Sequence, residues 1–384
     1  MNKLIRLSTV PLSLNILLKG QLSFLNNFFN IIAVSGNGPD LNVVAEREGV
    51  LVYSIEMERK ISPFKDVVSL VKLYFYFRNE RPFIVHSITP KAGLLSMIAA
   101  KLAGVPIRMH TFTGLIFPSK TGILQKILIA MDKLLCLCAT NIYPEGEGVK
   151  KDLMRYNITK KELKVIGNGN INGINKHHFN PELYTSADRI RERKKLGIQN
   201  NDFVFIFVGR LVGDKGINEM IQAFKNLSNE NDSVKLILVG PFEPHFDPLQ
   251  QETVQEIKAN ESIISVGFQE DVRPYFAISD CLVFPSYREG FPNVVMQAGA
   301  MGLPSIVTDI NGCNEIIIDG KNGIIIPAKS YKAILEAMKK IFNEHDFRNL
   351  LKNCAREMIV SRYEQDVVWE ALLLEYKKLE TNVS

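Results

Sequence analysis

The feature that most constrains this chain is an alternation, carried along most of its length, between short runs that are apolar throughout and stretches of helical periodicity. Early runs lie at 31–34, 51–55, 83–88 and 107–112, with helical spacing at 66–77 and 92–103 between them. A run that stays apolar without alternating suits a strand buried on both faces. Such strands separated by helices predict an α/β fold with parallel sheets, because parallel neighbours need a crossover connection. A second series begins at 203–209 and continues at 234–239, 263–266, 281–284 and 305–308, and the chain ends in helix.

The pattern pauses between the two series. Asn168-Gly-Asn-Ile-Asn-Gly-Ile-Asn is turn-rich, and the charged, helix-like Asp188-Arg-Ile-Arg-Glu-Arg-Lys-Lys follows it. At 384 residues the chain is too long for one ordinary core. The division expected is a first domain at 1–167, a linker region at 168–200, a second domain at 201–360 and a C-terminal helix at 361–384.

Composition excludes several classes. With 46% hydrophobic and 23% charged residues the chain is globular rather than disordered. A net charge of +5 suits anionic ligands or a membrane surface, but the cations are too scattered for a nucleic-acid partner. The five cysteines have irregular spacings, so free thiols in a reducing cytoplasm are expected. The N-terminus carries charges where a secretory signal needs an apolar core. No apolar run approaches the about 20 residues that span a bilayer. The nearest, 123–138, is broken by Lys126, Asp132 and Lys133 and reads as an amphipathic helix. A cytoplasmic location follows as the expectation.

Two loops could carry chemistry. Gly209-Arg210-Leu211-Val212-Gly213-Asp214-Lys215-Gly216 follows a strand and leads into a helical stretch at 217–227. Its glycines allow close backbone approach, and a helix start offers free N–H groups to phosphate. Arg210 can fork onto two phosphate oxygens, and Lys215 adds a point charge. The same residues also fit a plain strand–turn–helix with exposed cations. The second loop, Phe284-Pro-Ser-Tyr-Arg-Glu-Gly-Phe-Pro-Asn, follows another strand and opens a helix over 293–301 that Gly302 and Pro304 end. Glu289 can accept hydrogen bonds from sugar hydroxyls, and the amides of Gly290 to Val294 can face anionic oxygens. A first-turn acid favoured by the helix dipole is the simpler explanation of Glu289.

Together these loops, followed by Gly302-Leu-Pro304, Asp309-Ile-Asn-Gly-Cys-Asn-Glu315 and Asp319-Gly-Lys-Asn-Gly-Ile-Ile-Ile-Pro327, resemble the donor half of family-4 retaining glycosyltransferases, the glycosyl transferases group 1 of polysaccharide-biosynthesis type. The resemblance implies a GT-B fold, in which two Rossmann-like α/β domains face each other across a cleft. The first domain would bind the acceptor and the second the nucleotide sugar, with the last helix returning to the first. It implies that Gly209, Arg210 and Lys215 hold the donor diphosphate and that Glu289 contacts the donor sugar. Gly290, Phe291, Asn293, Val294 and Val295 would line the sugar and phosphate pocket. The family usually has a second glutamate eight positions after the first, on the nucleotide ribose; here Gln297 keeps a carbonyl acceptor and loses the charge.

In the first half, His110 of Met109-His110-Thr111-Phe112-Thr113-Gly114 matches a family histidine near the donor sugar. It could bond a sugar hydroxyl or help neutralise the leaving phosphate, alongside Glu289, Arg210 and Lys215. A strand-end histidine is also a common structural residue, and His86 fits that description. The glycine-rich loop common after the family's first strand is missing, since Ser8-Thr-Val-Pro-Leu-Ser-Leu-Asn15 contains no glycine.

The resemblance implies retaining, metal-independent transfer of a hexose-type sugar from a UDP- or GDP-sugar co-substrate, with no cofactor. The acceptor would be a glycan, such as a polyprenyl-linked precursor of a bacterial capsule or O-antigen. The basic stretch Glu58-Arg59-Lys60-Ile-Ser-Pro-Phe-Lys-Asp66 is similar to one in relatives acting on such precursors. Arg59, Lys60, Lys65, Lys120, Lys126 and Lys133 near apolar residues suit peripheral contact with the inner face of a membrane. An ordinary core-facing helix is the simpler reading of 121–137. A sugar-nucleotide epimerase of the same fold and a non-catalytic sugar-nucleotide-binding subunit are the alternatives.

Overall fold

The computed structural model describes residues 1–58, 62–243 and 247–383. Arg59 and Lys60 of the basic stretch lie outside them. The chain forms two compact units, Met1–Gly173 with Gln365–Ser384, and Ile174–Glu364.

The first unit is built on six parallel strands: β1 (Lys3–Leu7), β2 (Asn30–Ser35), β3 (Leu51–Ser54), β4 (Ile84–Ser87), β5 (Ile107–Phe112) and β6 (Asn141–Pro144). Their order across the sheet is β3-β2-β1-β4-β5-β6. The second unit has β7 (Phe203–Val208), β8 (Val234–Val239), β9 (Ile263–Gly267), β10 (Cys281–Phe284), β11 (Ser305–Thr308) and β12 (Gly323–Ile326), in the order β12-β11-β10-β7-β8-β9. Counted from its own first strand, each sheet has the order 3-2-1-4-5-6 of a doubly wound nucleotide-binding fold. In such a sheet the crossovers leave in opposite directions on either side of the first strand. This opens a crevice at the carboxyl ends of the first and fourth strands. Those strands are β1 and β4 in one unit, and β7 and β10 in the other.

Strands buried on both faces explain the uniform apolar runs: Phe205, Ile206, Leu236, Leu238 and Leu282 have no exposed surface. β1 escaped the apolar pattern because it contains Arg6, which is fully buried. Arg6 donates from Nη1 to the Tyr376 hydroxyl at 2.5 Å and lies 3.1 Å from His86 Nδ1. Tyr376 belongs to the last helix, Gln365–Val383, so this network ties the chain's end to the first sheet. Trp369 on the same helix donates to Asn172, and its ring fills the space beside Gly20.

The division between the units, at Gly173/Ile174, falls inside the stretch expected as a linker, 168–200. Residues 168–173 stay with the first unit, and the chain from Ile174 belongs to the second. Helix Ser186–Lys195 starts on a capping box between Thr185 and Asp188. Its Arg189 and Arg193 donate to the carbonyls of Ala277 and Ile278. The charged residues of this helix thus cap another helix of the same unit.

Helices Pro63–Glu80, Pro90–Ala103 and Gly122–Cys138 pack side by side against the first sheet. The two outer ones turn apolar residues outward. Phe64, Val67, Val68, Val71 and Phe75 are exposed on one, and Ile123, Leu124, Ile127, Leu134 and Leu137 on the other. On Gly122–Cys138 only Leu135, Cys136 and Cys138 are buried, so a purely core-facing role does not describe this helix. Among the described residues no helix is long and apolar enough to cross a membrane. All five cysteines are free thiols.

Candidate functional site

β7 and β10 are hydrogen-bonded neighbours, so the loops that follow them emerge side by side. The loop after β7 makes a short 3-10 turn, Gly213–Lys215, and enters helix Ile217–Glu230 through Gly216. Gly216 has φ 70° and lies so close to the second loop that a Cβ would sit 2.1 Å from the Pro285 carbonyl oxygen. Only glycine meets both demands. The Tyr287 amide donates to the Asp214 carbonyl at 2.9 Å, which interlocks the loops further.

This juxtaposition brings Lys215 and Glu289 together. Lys215 Nζ forms a short ion pair with Glu289 Oε1, and each side chain keeps under a fifth of its surface exposed. The Ser286 hydroxyl donates to the same carboxylate oxygen at 2.9 Å. Ser286 is itself fully buried, and its carbonyl accepts from the Thr308 hydroxyl on β11. Lys215 Nζ also stands 5.7 Å from the Phe284 ring, a cation–π contact. The site is therefore a cation and a carboxylate fixed at the carboxyl end of the sheet, backed by a buried serine.

Arg210 shares the first loop but does not join this pair. Its Nη1 donates to Glu243 at 2.8 Å, and the side chain is half exposed. Gly209 leaves the end of β7 opposite Gly240, where a Cβ would collide with the Gly209 carbonyl at 1.8 Å. Gly290 packs its carbonyl against Gly312. Helix Asn293–Ala300 begins after Pro292, so the amides of its first turn emerge beside Glu289. Phe291 is buried edge-on to Tyr363 at 5.5 Å. Val295 has no exposed surface, and its amide bonds the Pro292 carbonyl. Asn293, Val294 and Gln297 are partly exposed.

His110 lies in the first unit, on β5. It is buried, and burial holds its imidazole down to about pKa 3. Burial therefore favours the neutral ring, which can donate or accept a hydrogen bond. His86 has both ring nitrogens engaged, Nδ1 with Tyr376 at 2.6 Å and Nε2 with Thr111 at 2.8 Å. It is structural.

Sequence reasoning missed Ser286 and Glu243. Ser286 sits within the recognised motif, but its bond to Glu289 depends on how the loop folds back. Glu243 reaches Arg210 only because β7 and β8 are neighbours.

Residues 188–358 match the glycosyl transferases group 1 family, and residues 14–144 match the glycosyl transferase 4-like family. The capsular polysaccharide biosynthesis glycosyltransferase CapM of Staphylococcus aureus is 32% identical over 372 residues, covering 96% of this chain and 95% of that protein. The UDP-Gal:alpha-D-GlcNAc-diphosphoundecaprenol alpha-1,3-galactosyltransferase of Escherichia coli is 28% identical over 335 residues, 83% of this chain and 84% of that one. A solved glycosyltransferase structure from Rickettsia africae ESF-5 matches with a TM-score of 0.82 over 99% of each chain at 18% identity, a likeness of fold. With two doubly wound sheets of the GT-B type and these matches over nearly its whole length, the chain belongs to the glycosyl transferases group 1 family.

Proposed function

We propose that this glycosyltransferase moves a hexose-type sugar from a UDP- or GDP-sugar to a glycan on a lipid-linked carrier, as a step in building a bacterial surface polysaccharide. The observation that carries the reading is the Lys215–Glu289 pair at the β7/β10 crevice. As the glycosidic bond breaks, negative charge grows on the departing diphosphate. Lys215, Arg210 and the first-turn amides of Asn293–Ala300 are the groups that would stabilise it. Glu289, fixed by Ser286, would accept hydroxyl protons of the donor sugar in hydrogen bonds. His110 would bond a sugar hydroxyl as a neutral ring. Gln297 would meet the ribose through its amide. Cationic side chains and amides in this role leave no step that calls for a metal.

Retention of the anomeric configuration, with the leaving phosphate assisting attack on the same face, is the course the family resemblance supports. The acceptor class rests on the relatives: the first is named for capsular polysaccharide biosynthesis, and the second for a UDP-galactose donor and a diphosphoundecaprenol acceptor. A membrane-bound acceptor also suits the outward apolar stripes of Pro63–Glu80 and Gly122–Cys138, which would rest in the headgroup region with Lys65, Lys120, Lys126 and Lys133 around them.

The test is transfer by the purified chain from a panel of UDP- and GDP-hexoses to an undecaprenyl-diphosphate-linked monosaccharide. One donor should give product, and Glu289→Ala and Lys215→Ala should each lower kcat/KM by about 100-fold or more. Full activity in both variants would refute the site.

A further inference from the structure

Arg6 on β1 is completely buried, yet only one corner of its guanidinium is engaged. Nη1 meets the Tyr376 hydroxyl and His86 Nδ1. Nε and Nη2 have no hydrogen-bond partner. These two nitrogens form one edge of the planar fork, and such an edge clasps an anion with two N–H bonds. Arg6 also lacks a counter-charge: among the described residues no carboxylate forms an ion pair with it. The two groups it does meet are neutral. Burial raises the Tyr376 phenol above its ordinary range, and burial, followed by the Arg6 charge itself, holds His86 well below the usual imidazole range.

Arg6 lines a small cavity within the first unit, together with His86, Thr111, Tyr143, Glu145 and Asn170. About 20 Å³ there is open to the centre of a water-sized particle, which is room for one. A phosphate or a carboxylate ligand does not fit such a space, whereas a monatomic ion does. The other polar groups of the wall are committed elsewhere. Thr111 Oγ1 bonds His86 Nε2, the Tyr143 hydroxyl donates to Glu375, and Asn170 Oδ1 accepts the amides of Asn172 and Gly173. Glu145 has contacts of its own and forms no ion pair with Arg6. A water in this space accepts both N–H bonds but leaves the charge uncompensated, which is costly away from solvent. A halide meets both needs.

We propose that the Arg6 cavity is a binding site for one monatomic anion of chloride size, held by Nε and Nη2. The ion steadies the guanidinium that bonds Tyr376, and so strengthens the hold of the first sheet on the last helix. Glu145 sets an opposing charge in the same wall, so binding is weak and tightens when that charge is removed.

Unfolding temperatures of the full chain at constant ionic strength test this, with chloride replacing methanesulfonate, an anion too large for the cavity. Between about 1 and 300 mM chloride the wild-type transition should rise by a few degrees, and bromide should act likewise. Glu145→Gln should shift that rise to several-fold lower chloride. Arg6→Lys keeps the charge but loses the forked edge, and it should lose the halide response. Crystals of the wild-type chain grown in bromide should show its anomalous signal within hydrogen-bond reach of Nε and Nη2, and this result decides the matter if Arg6→Lys does not fold. A transition indifferent to which anion is present, or a bromide crystal in which water alone meets Nε and Nη2, would overturn the site.

Discussion

Lys215 and Glu289 already neutralise each other in the unliganded site. Charges that are largely out of water are tolerated when paired and hydrogen-bonded, and here Ser286 supplies the extra bond. A donor would divide the pair, with its phosphate beside Lys215 and its sugar hydroxyls donating to Glu289. Arg210 stands differently. Its own side chain is half exposed in the pair with Glu243, and such solvent-exposed pairs are worth at most about 1 kcal/mol, so phosphate can replace Glu243 readily. The residue types of this site were legible in the sequence because the motif spells them out. The partnerships were not, since they join residues on separate loops.

His110 also sets a pH dependence. Its folded pKa of about 3 is below the ordinary 6.5, so the unfolded chain binds more protons between those values. Stability must therefore rise with pH across that window and fall as the solution is acidified from 6.5 toward 3. A single such histidine contributes a slope of up to about 1.4 kcal/mol per pH unit. Denaturant titrations at pH 4 to 7 should show a shallower pH dependence for His110→Gln than for wild type. An unchanged slope would mean that the ring charges freely in the folded state.

At the scale of elements, the uniform apolar runs identified the inner strands well. They failed where another requirement intervened: β1 carries the buried Arg6, while β6 and β12 are short outermost strands whose Asn141, Pro144 and Gly323 break the apolar run. Periodicity also found the helix over 123–138, but not which side faces the core. The spacing of its apolar residues satisfies either orientation, and only the neighbouring helix and sheet decide. Its exposed stripe leads to a prediction. Wild-type protein should float with vesicles containing anionic phosphatidylglycerol, and the double change Ile127→Glu with Leu134→Glu should weaken that flotation several-fold without unfolding the chain. Both positions are solvent-exposed, so the core is untouched. Equal flotation of the variant would exclude this helix from membrane contact.

At the scale of the whole molecule, two strand–helix series were legible as two α/β bodies, because each series can close its own sheet. The order of the strands was not. It depends on where each crossover leads, and that order places the carboxyl ends of β7 and β10 side by side. The return of the last helix to the first unit was expected from the family resemblance. Its physical reason, Tyr376 meeting buried Arg6 and His86, needed the fold. Nucleotide binding in the second unit is the claim on which the remaining functional proposals depend. The most direct measurement is the unfolding temperature of the full chain across a panel of UDP, GDP and their hexose derivatives, for wild type and Lys215→Ala. A ligand present at 100 times its Kd stabilises by about 2.7 kcal/mol. One nucleotide family should raise the wild-type transition by several degrees and leave Lys215→Ala nearly unmoved. No shift with any nucleotide, or the same shift in the variant, would contradict the placement of the donor at the Lys215–Glu289 pair.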